Sequence, residues 1–283
     1  MVHNIRISWV MLFCAVALNI NAQSQADSIA LVDANWNWVK LGKGAKAGHV
    51  IVPMFGDRQS ITVIKYPARK FSTSIIDAQN PNHDITSKVA ERYDALAAIN
   101  ASYFNMKKLT PTTYFAKDGK IMGKSASSEL FRVNGYVAVK DKKGHQVEIA
   151  YIDTTQYDAY PSQYKALLAS GPVVLVKKNI PGFPKDKYFY DKRHPRTMIG
   201  YDRKYIYYVV VDGRFPEYGA CGATIPELAY IARYLGMDYA LNLDGGGSST
   251  AWTRKTGVLN YPFDNKKFDH DGCRKVPNII IMR

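Results

Sequence analysis

The sequence predicts an α+β (mixed α/β) fold, a large, mostly antiparallel or mixed sheet with few helices in a single domain. Three observations carry this. Short runs rich in branched and aromatic residues recur along the chain, separated by Gly, Pro, Asn or Asp, as strands and turns require. Only one stretch, 224–236, combines a cap, an apolar face and a stop as a helix does. The order strand, loop, helix, strand over 205–244 has the spacing of a βαβ crossover.

The elements follow in chain order. Arg6 precedes a twelve-residue apolar stretch, Trp9 to Ile20, and then small Ala22, which together read as a secretory signal peptide over 1–22. A membrane span needs roughly 20 apolar residues, and Asn19 and Asn21 close this run early. Cys14 does not mark a lipoprotein, because bulky Phe13 precedes it and it lies inside the apolar stretch. Residues 23–95 form an N-terminal segment whose strands, "HVIVPMF" and "SITVIKY", are expected at a sheet edge. The core, 96–283, begins within "ALAAIN" and continues with "GYVAVK" and "QVEIAYI", a hairpin turning at "DKKG". "PVVLV", "TMIGYD", "YIYYVVV", "YALNLD" and "VPNIIIM" complete the strands. In the helix "TIPELAYIARYLG", Thr224 caps, Pro226 suits the first turn, Leu228, Ile231 and Leu235 share a face, and Gly236 ends it.

The net charge of +14 invites a nucleic-acid reading, but the lysines gather in turn-like groups such as "KDKK" and "NKK" rather than along one face. Attraction to anionic polymers or a phosphate-bearing substrate fits an exported chain better, with no nucleic acid and no stable membrane insertion. An oxidising compartment permits Cys221 and Cys273 to pair, and a disulfide between them is expected, with two unpaired buried thiols as the alternative.

Chemistry concentrates at "LDGGGSST". It lacks the Lys of a P-loop, the G-x-G-x-x-G that opens a dinucleotide-binding helix, and the Gly-x-Ser-x-Gly of a nucleophile elbow. What remains is Asp244 at a strand end, three glycines (Gly245, Gly246, Gly247) offering bare backbone as an anion nest, and the hydroxyls of Ser248, Ser249 and Thr250. A strained hairpin with Asp244 as turn-former is the alternative. In "HPRTMIGYDRKYIYYVVVDGR", antiparallel pairing would bring Arg196, Asp212 and Arg214 to one sheet edge, although Asp-Gly alone marks only a turn. "INASYFN" places Asn100 and Phe104 at another strand end. Glu227 suits the positive helix N-terminus. His194 has no histidine at ligand spacing, so no zinc site and no cofactor are expected.

Taken in order, "INASYF", "SGPVVLV", "RTMIGYD", "VVVDGR", "TIPELAYIARYLG" and "ALNLDGGGSSTAW" resemble the phosphodiester glycosidase family from about residue 96 to the C-terminus. Ala101, Ser102 and Tyr103 depart from the small residues usual after the Asn, which reshapes the expected sugar pocket. The resemblance implies hydrolysis between a sugar's anomeric carbon and a phosphate oxygen, with a sugar-1-phosphodiester or phosphate-linked glycan as partner. Asp244 is then the first choice for the carboxylate facing that carbon, with Asp212 and Glu227 as partners. Arg196, Arg214 and the glycine backbone would hold the phosphate, and Asn100, Phe104, Ser248 and Thr250 would line the site. Competing readings are a phosphodiesterase that breaks P–O and a non-catalytic carbohydrate-binding module, for which the 20 tyrosines speak.

Overall fold

In the computed structural model, which describes residues 24–79 and 82–283, the run Tyr205–Val211 is apolar almost throughout because both faces of its sheet are covered. It lies inside a seven-stranded sheet ordered Val39–Gly42, Ala45–Met54, Asp57–Pro67, Tyr205–Val211, Arg196–Tyr201, Tyr239–Asn242, Val173–Val176. Every pair of neighbours in this sheet is antiparallel. Arg196–Tyr201 pairs antiparallel with both Tyr205–Val211 and Tyr239–Asn242, so those two run parallel, and the Ile225–Tyr234 helix makes the crossover between them.

Residues 39–77 do more than line an edge. The Asp57–Pro67 strand is interior, bonded to Tyr205–Val211 through seven register pairs from Tyr205↔Pro67 to Val211↔Ile61. The stretch expected to be a signal peptide, 1–22, lies outside the described residues.

Two five-stranded sheets pack on the first. One runs Lys120–Gly123, Phe115–Lys117, Ala166–Ser170, Gly135–Val139, Val147–Tyr151 and contains the expected hairpin, whose Gly144 N–H bonds the Asp141 carbonyl at 3.1 Å. The other runs Gly257–Val258, Ala251–Thr253, Ala97–Asn100, Asn278–Met282, Thr73–Asp77. All three contribute to one apolar core, with Ile64, Tyr208 and Leu241 from the first, Phe115 and Leu168 from the second, and Ile99 and Ile280 from the third. Where Tyr66 and Tyr208 enter this core, their hydroxyls bond each other at 2.7 Å, which removes the cost of burying bare O–H groups.

The outer face of the large sheet is covered by the Ile225–Tyr234 helix and by helix 24–32, from which Leu31 is fully buried. The longer helix begins as its sequence dictates. Thr224 Oγ1 accepts from Glu227 N at 3.1 Å, Glu227 Oε2 accepts from Thr224 N at 2.9 Å, and Gly236 follows its last turn in the left-handed region at φ +82°.

Candidate active site

The register Arg196↔Val211 and Met198↔Asn242 brings the start of one strand beside the ends of two others, so Arg196, Asp212 and Asp244 share one end of the large sheet. Asp244 is fixed there through its backbone. Its N–H bonds the Ala101 carbonyl at 2.8 Å, and its own carbonyl accepts from Asn100 Nδ2 at 2.7 Å. Asn100, fully buried, also accepts from Thr197 Oγ1 at 2.8 Å and Thr250 N at 3.0 Å through Oδ1. Asn100 and Thr250 thus hold the loop in place from behind.

The Asp244 side chain opens into a cavity of about 350 Å³ shared with Tyr103, Phe131, Arg132, Tyr188, Phe189, His194, Pro195, Arg196, Gly245 and Gly246. That volume lies within the roughly 300–1,000 Å³ that ligand pockets occupy. Burial pushes the Asp244 carboxyl up to about 6, opposed by the nearby Ser248 hydroxyl and by the charges of Arg132 and Arg274.

Three glycines are needed here because the loop is wedged on all sides. A Cβ on Gly245 would stand 2.5 Å from the Pro195 carbonyl oxygen, and one on Gly247 would collide with Arg274. Gly246 adopts φ +62°. The N–H groups of Gly246, Ser248 and Ser249 are taken by the carbonyls of Pro195, Gly245 and Gly246, so the tight turn uses within the fold most of the donors that an anion nest would present. Gly245 and Gly246 line the cavity, whereas Gly247 and Ser248 are buried behind it. Attraction for an anion therefore falls to side chains.

Arg132 supplies one. Its guanidinium lies 4.1 Å from the Tyr103 ring centroid and 5.4 Å from that of Phe189, and it is ion-paired to Glu129 at 2.6 Å. Arg196 reaches the cavity wall, but it is 3% exposed and three of its bonds go to backbone carbonyls: Nε to Ala223 at 2.9 Å, and Nη2 to Phe189 at 2.6 Å and Lys192 at 3.1 Å. It holds the loop that carries Phe189, and Nη1 is the donor those bonds leave over. Its desolvation lowers its pKa to about 10, so the guanidinium is still charged at neutral pH. His194 bonds the Tyr188 carbonyl through Nε2 at 3.0 Å, which makes Nε2 the donor and leaves Nδ1 with a lone pair. Burial, together with the charges of Arg196, Arg214 and Lys192, lowers its pKa against the opposing pull of the Tyr188 carbonyl, so the ring is neutral at pH 7.

Other residues expected at the site sit elsewhere. Asp212 is 1% exposed and does not line the cavity. Its carboxylate accepts from Ser60 Oγ (2.7 Å), Asn260 Nδ2 (2.9 Å) and Tyr261 N (3.0 Å), joining three chain segments behind the loop. Burial raises it to about 6 despite these bonds. Glu227 is held by its helix cap and by Arg193, whose Nε lies 3.0 Å from both carboxylate oxygens. Phe104 packs against the cluster around Trp252 and Val276 instead of entering the cavity. Arg214 lies outside the cavity, across Gly246.

The expected disulfide is a correction, because both cysteines are free. Cys221 lies beside Asp57, with its N–H on the Arg58 carbonyl, while the Cys273 thiol faces the His270 carbonyl at 3.9 Å. Each thiol is held in its own loop by other partners. Arg132, Phe131, Tyr188 and Phe189 lie in irregular segments that carry no local signal, and in the sequence His194 stands out only as a possible metal ligand.

Residues 93–283 match the sequence profile of a family described as phosphodiester glycosidase. No curated protein matches the chain significantly. Among solved structures, it is similar to the zebrafish N-acetylglucosamine-1-phosphodiester alpha-N-acetylglucosaminidase catalytic domain auto-inhibited by its pro-peptide, with TM-score 0.66 and 18% identity over 88% of this chain and 87% of that one. It is also similar to a hypothetical protein from Synechocystis, with TM-score 0.62 and 16% identity over 87% of this chain. The match spans 63% of the Synechocystis chain's length.

Proposed function

The chain belongs to the phosphodiester glycosidase family, and from that premise we propose that it hydrolyses the bond between a sugar's anomeric carbon and a phosphodiester oxygen, releasing free sugar and a phosphomonoester. The observation that carries this reading is Asp244, a carboxylate raised to about 6 that opens into the same cavity as Arg132 and Arg196.

The carbon–oxygen bond breaks with its electron pair leaving on the phosphate, which is stable as an anion and needs little protonation. Positive charge develops at the anomeric carbon, where a carboxylate stabilises it as nucleophile or as base for water. Arg132, and Nη1 of Arg196, are the donors available for the phosphate. Tyr103, Phe131 and Phe189 offer aromatic faces to a sugar ring. His194, with its proton on Nε2, gives the cavity a second base at Nδ1 for the proton of the attacking water. The apolar leader over residues 9–20 supports action after export, where a phosphate-linked glycan would be met.

Hydrolysis of a sugar-1-phosphodiester in 18O-labelled water tests the assignment. The label is expected in the released sugar, with none in the phosphate. Label in the phosphate would mean P–O cleavage and a phosphodiesterase.

A further inference from the structure

Arg214, like the exposed Arg58 that lies against Gly219, has no hydrogen-bonding side-chain partner among the described residues, unlike most of the arginines around it. Arg132, Arg193 and Arg274 each pair with a carboxylate, from Glu129, Glu227 and Asp264 respectively. Arg196 is bound by three carbonyls. Among the described residues, Arg214 has no ion pair and no hydrogen-bond acceptor; its guanidinium rests 4.8 Å from the Phe263 ring centroid. Its backbone is left-handed at φ +72°, unfavourable for a residue with a Cβ, and such strain gathers at binding sites. Partial burial and the neighbouring Arg274 both act against its charge. Arg214 is exposed, and an anion would offset both its partial desolvation and the repulsion from Arg274.

The position is also informative. A Cβ on Gly246 would stand 3.4 Å from Arg214 Nη2, so the guanidinium lies against the glycine loop, outside the lining of the Asp244 cavity but near enough to act on the charges of its wall residues Arg196 and His194. The same chain segment carries Tyr218, which is 51% exposed and lies parallel to Phe268 at 4.5 Å; Phe268 in turn stacks on Tyr261 at 3.8 Å. An unpaired cation over Phe263, joined to this exposed aromatic stack through Phe215, suits a sugar that bears a phosphate.

We propose that Arg214 and Tyr218 form a subsite for a second phosphate on the leaving-group side, one unit beyond the scissile phosphodiester, so that the substrate is a glycan with repeating phosphates. This rests on the reading of the Asp244 cavity as the place where the scissile bond lies. The net charge of +14 favours such a polyanion over a substrate with a neutral leaving group.

Two sugar-1-phosphodiesters with the same glycosyl group test it, one a methyl ester and the other carrying a sugar phosphate as leaving group. The parent protein is expected to favour the second at least tenfold in kcat/KM, mostly through KM, and to lose that preference as salt rises. Arg214→Gly suits the left-handed backbone and should melt no lower than the parent. It is expected to lose at least ten times more kcat/KM on the second substrate than on the methyl ester, with Arg214→Lys recovering part of the difference. Equal losses on both would place Arg214 on the scissile phosphate, and no loss would make it a bystander; either overturns the proposal. Calorimetric titration of Asp244→Asn protein with the same two compounds separates this from the reaction assignment. Tighter binding of the second compound that depends on Arg214 upholds the subsite even if neither compound is hydrolysed, and its absence overturns it.

Discussion

Asp244 is held in a conflict between folding and chemistry. The unfolded chain releases this proton near pH 4, whereas the folded protein keeps it until about 6. Between those values the native state binds more protons, so this group's contribution to stability is full below about pH 4 and lost as pH rises through 6. The fully buried Asp212 acts in the same direction over the same window. Asp244→Asn removes a desolvated charge, and at pH 7 it should raise stability by on the order of 1–2 kcal/mol, discounted for the cavity's access to water, with the gain vanishing near pH 4. The same substitution should lower kcat by about a hundredfold or more, because the amide cannot carry the negative charge that the carbon centre needs. The parent's kcat/KM should fall on the acid side of about pH 6. Denaturation curves and a pH–rate profile check both arms; a variant less stable than the parent at pH 7 contradicts the account of burial.

The helix Ile225–Tyr234 shows what an element can reveal by itself. Its capping box closes within four residues, its apolar face buries Leu228 and Ile231, and Pro226 stands in its first turn. The Thr224 cap, Pro226 and the apolar face were legible, because capping and helical periodicity are contacts between near neighbours in sequence. The role of Glu227 was not, since its partner Arg193 lies 34 residues away and its distance from Asp244 depends on how the loops fold. Glu227→Ala removes the reciprocal cap and leaves Arg193 with Asp57 as its acidic partner. A stability loss of about 1–3 kcal/mol is expected, with kcat for the folded protein within about threefold of the parent. Thermal melting and turnover at saturating substrate separate the two effects. A fall in kcat as deep as that of Asp244→Asn would return Glu227 to the reaction.

At the scale of the whole molecule, stability comes from three sheets closing on a shared apolar core and needs no covalent link between the loops bearing Cys221 and Cys273. Both thiols should therefore react with a thiol reagent after denaturation without reductant, and reducing agent should leave the melting temperature unchanged. A chain that yields neither thiol until reduced would restore the bridge.

Most of the longer strands, the well-capped helix, the crossover spacing and the glycine-flanked Asp244 were legible from the sequence, because each is written in periodicity, caps and turn residues that act over a few positions, whereas strands such as Phe115–Lys117 and Ala166–Ser170 were not. Tertiary structure alone decided how two similar local patterns differ. "VVVDGR" and "LNLDGG" both end an apolar strand in Asp-Gly, yet Asp212 is sealed behind Ser60 and Asn260 while Asp244 opens to a cavity. The walls of that cavity, Arg132, Phe131 and Phe189, come from segments more than fifty residues upstream of Asp244 with no periodic pattern of their own. Which residues meet there is fixed by sheet register and by the packing of loops over a strand end, contacts whose energy depends on partners far apart in the chain and which no short window of sequence contains.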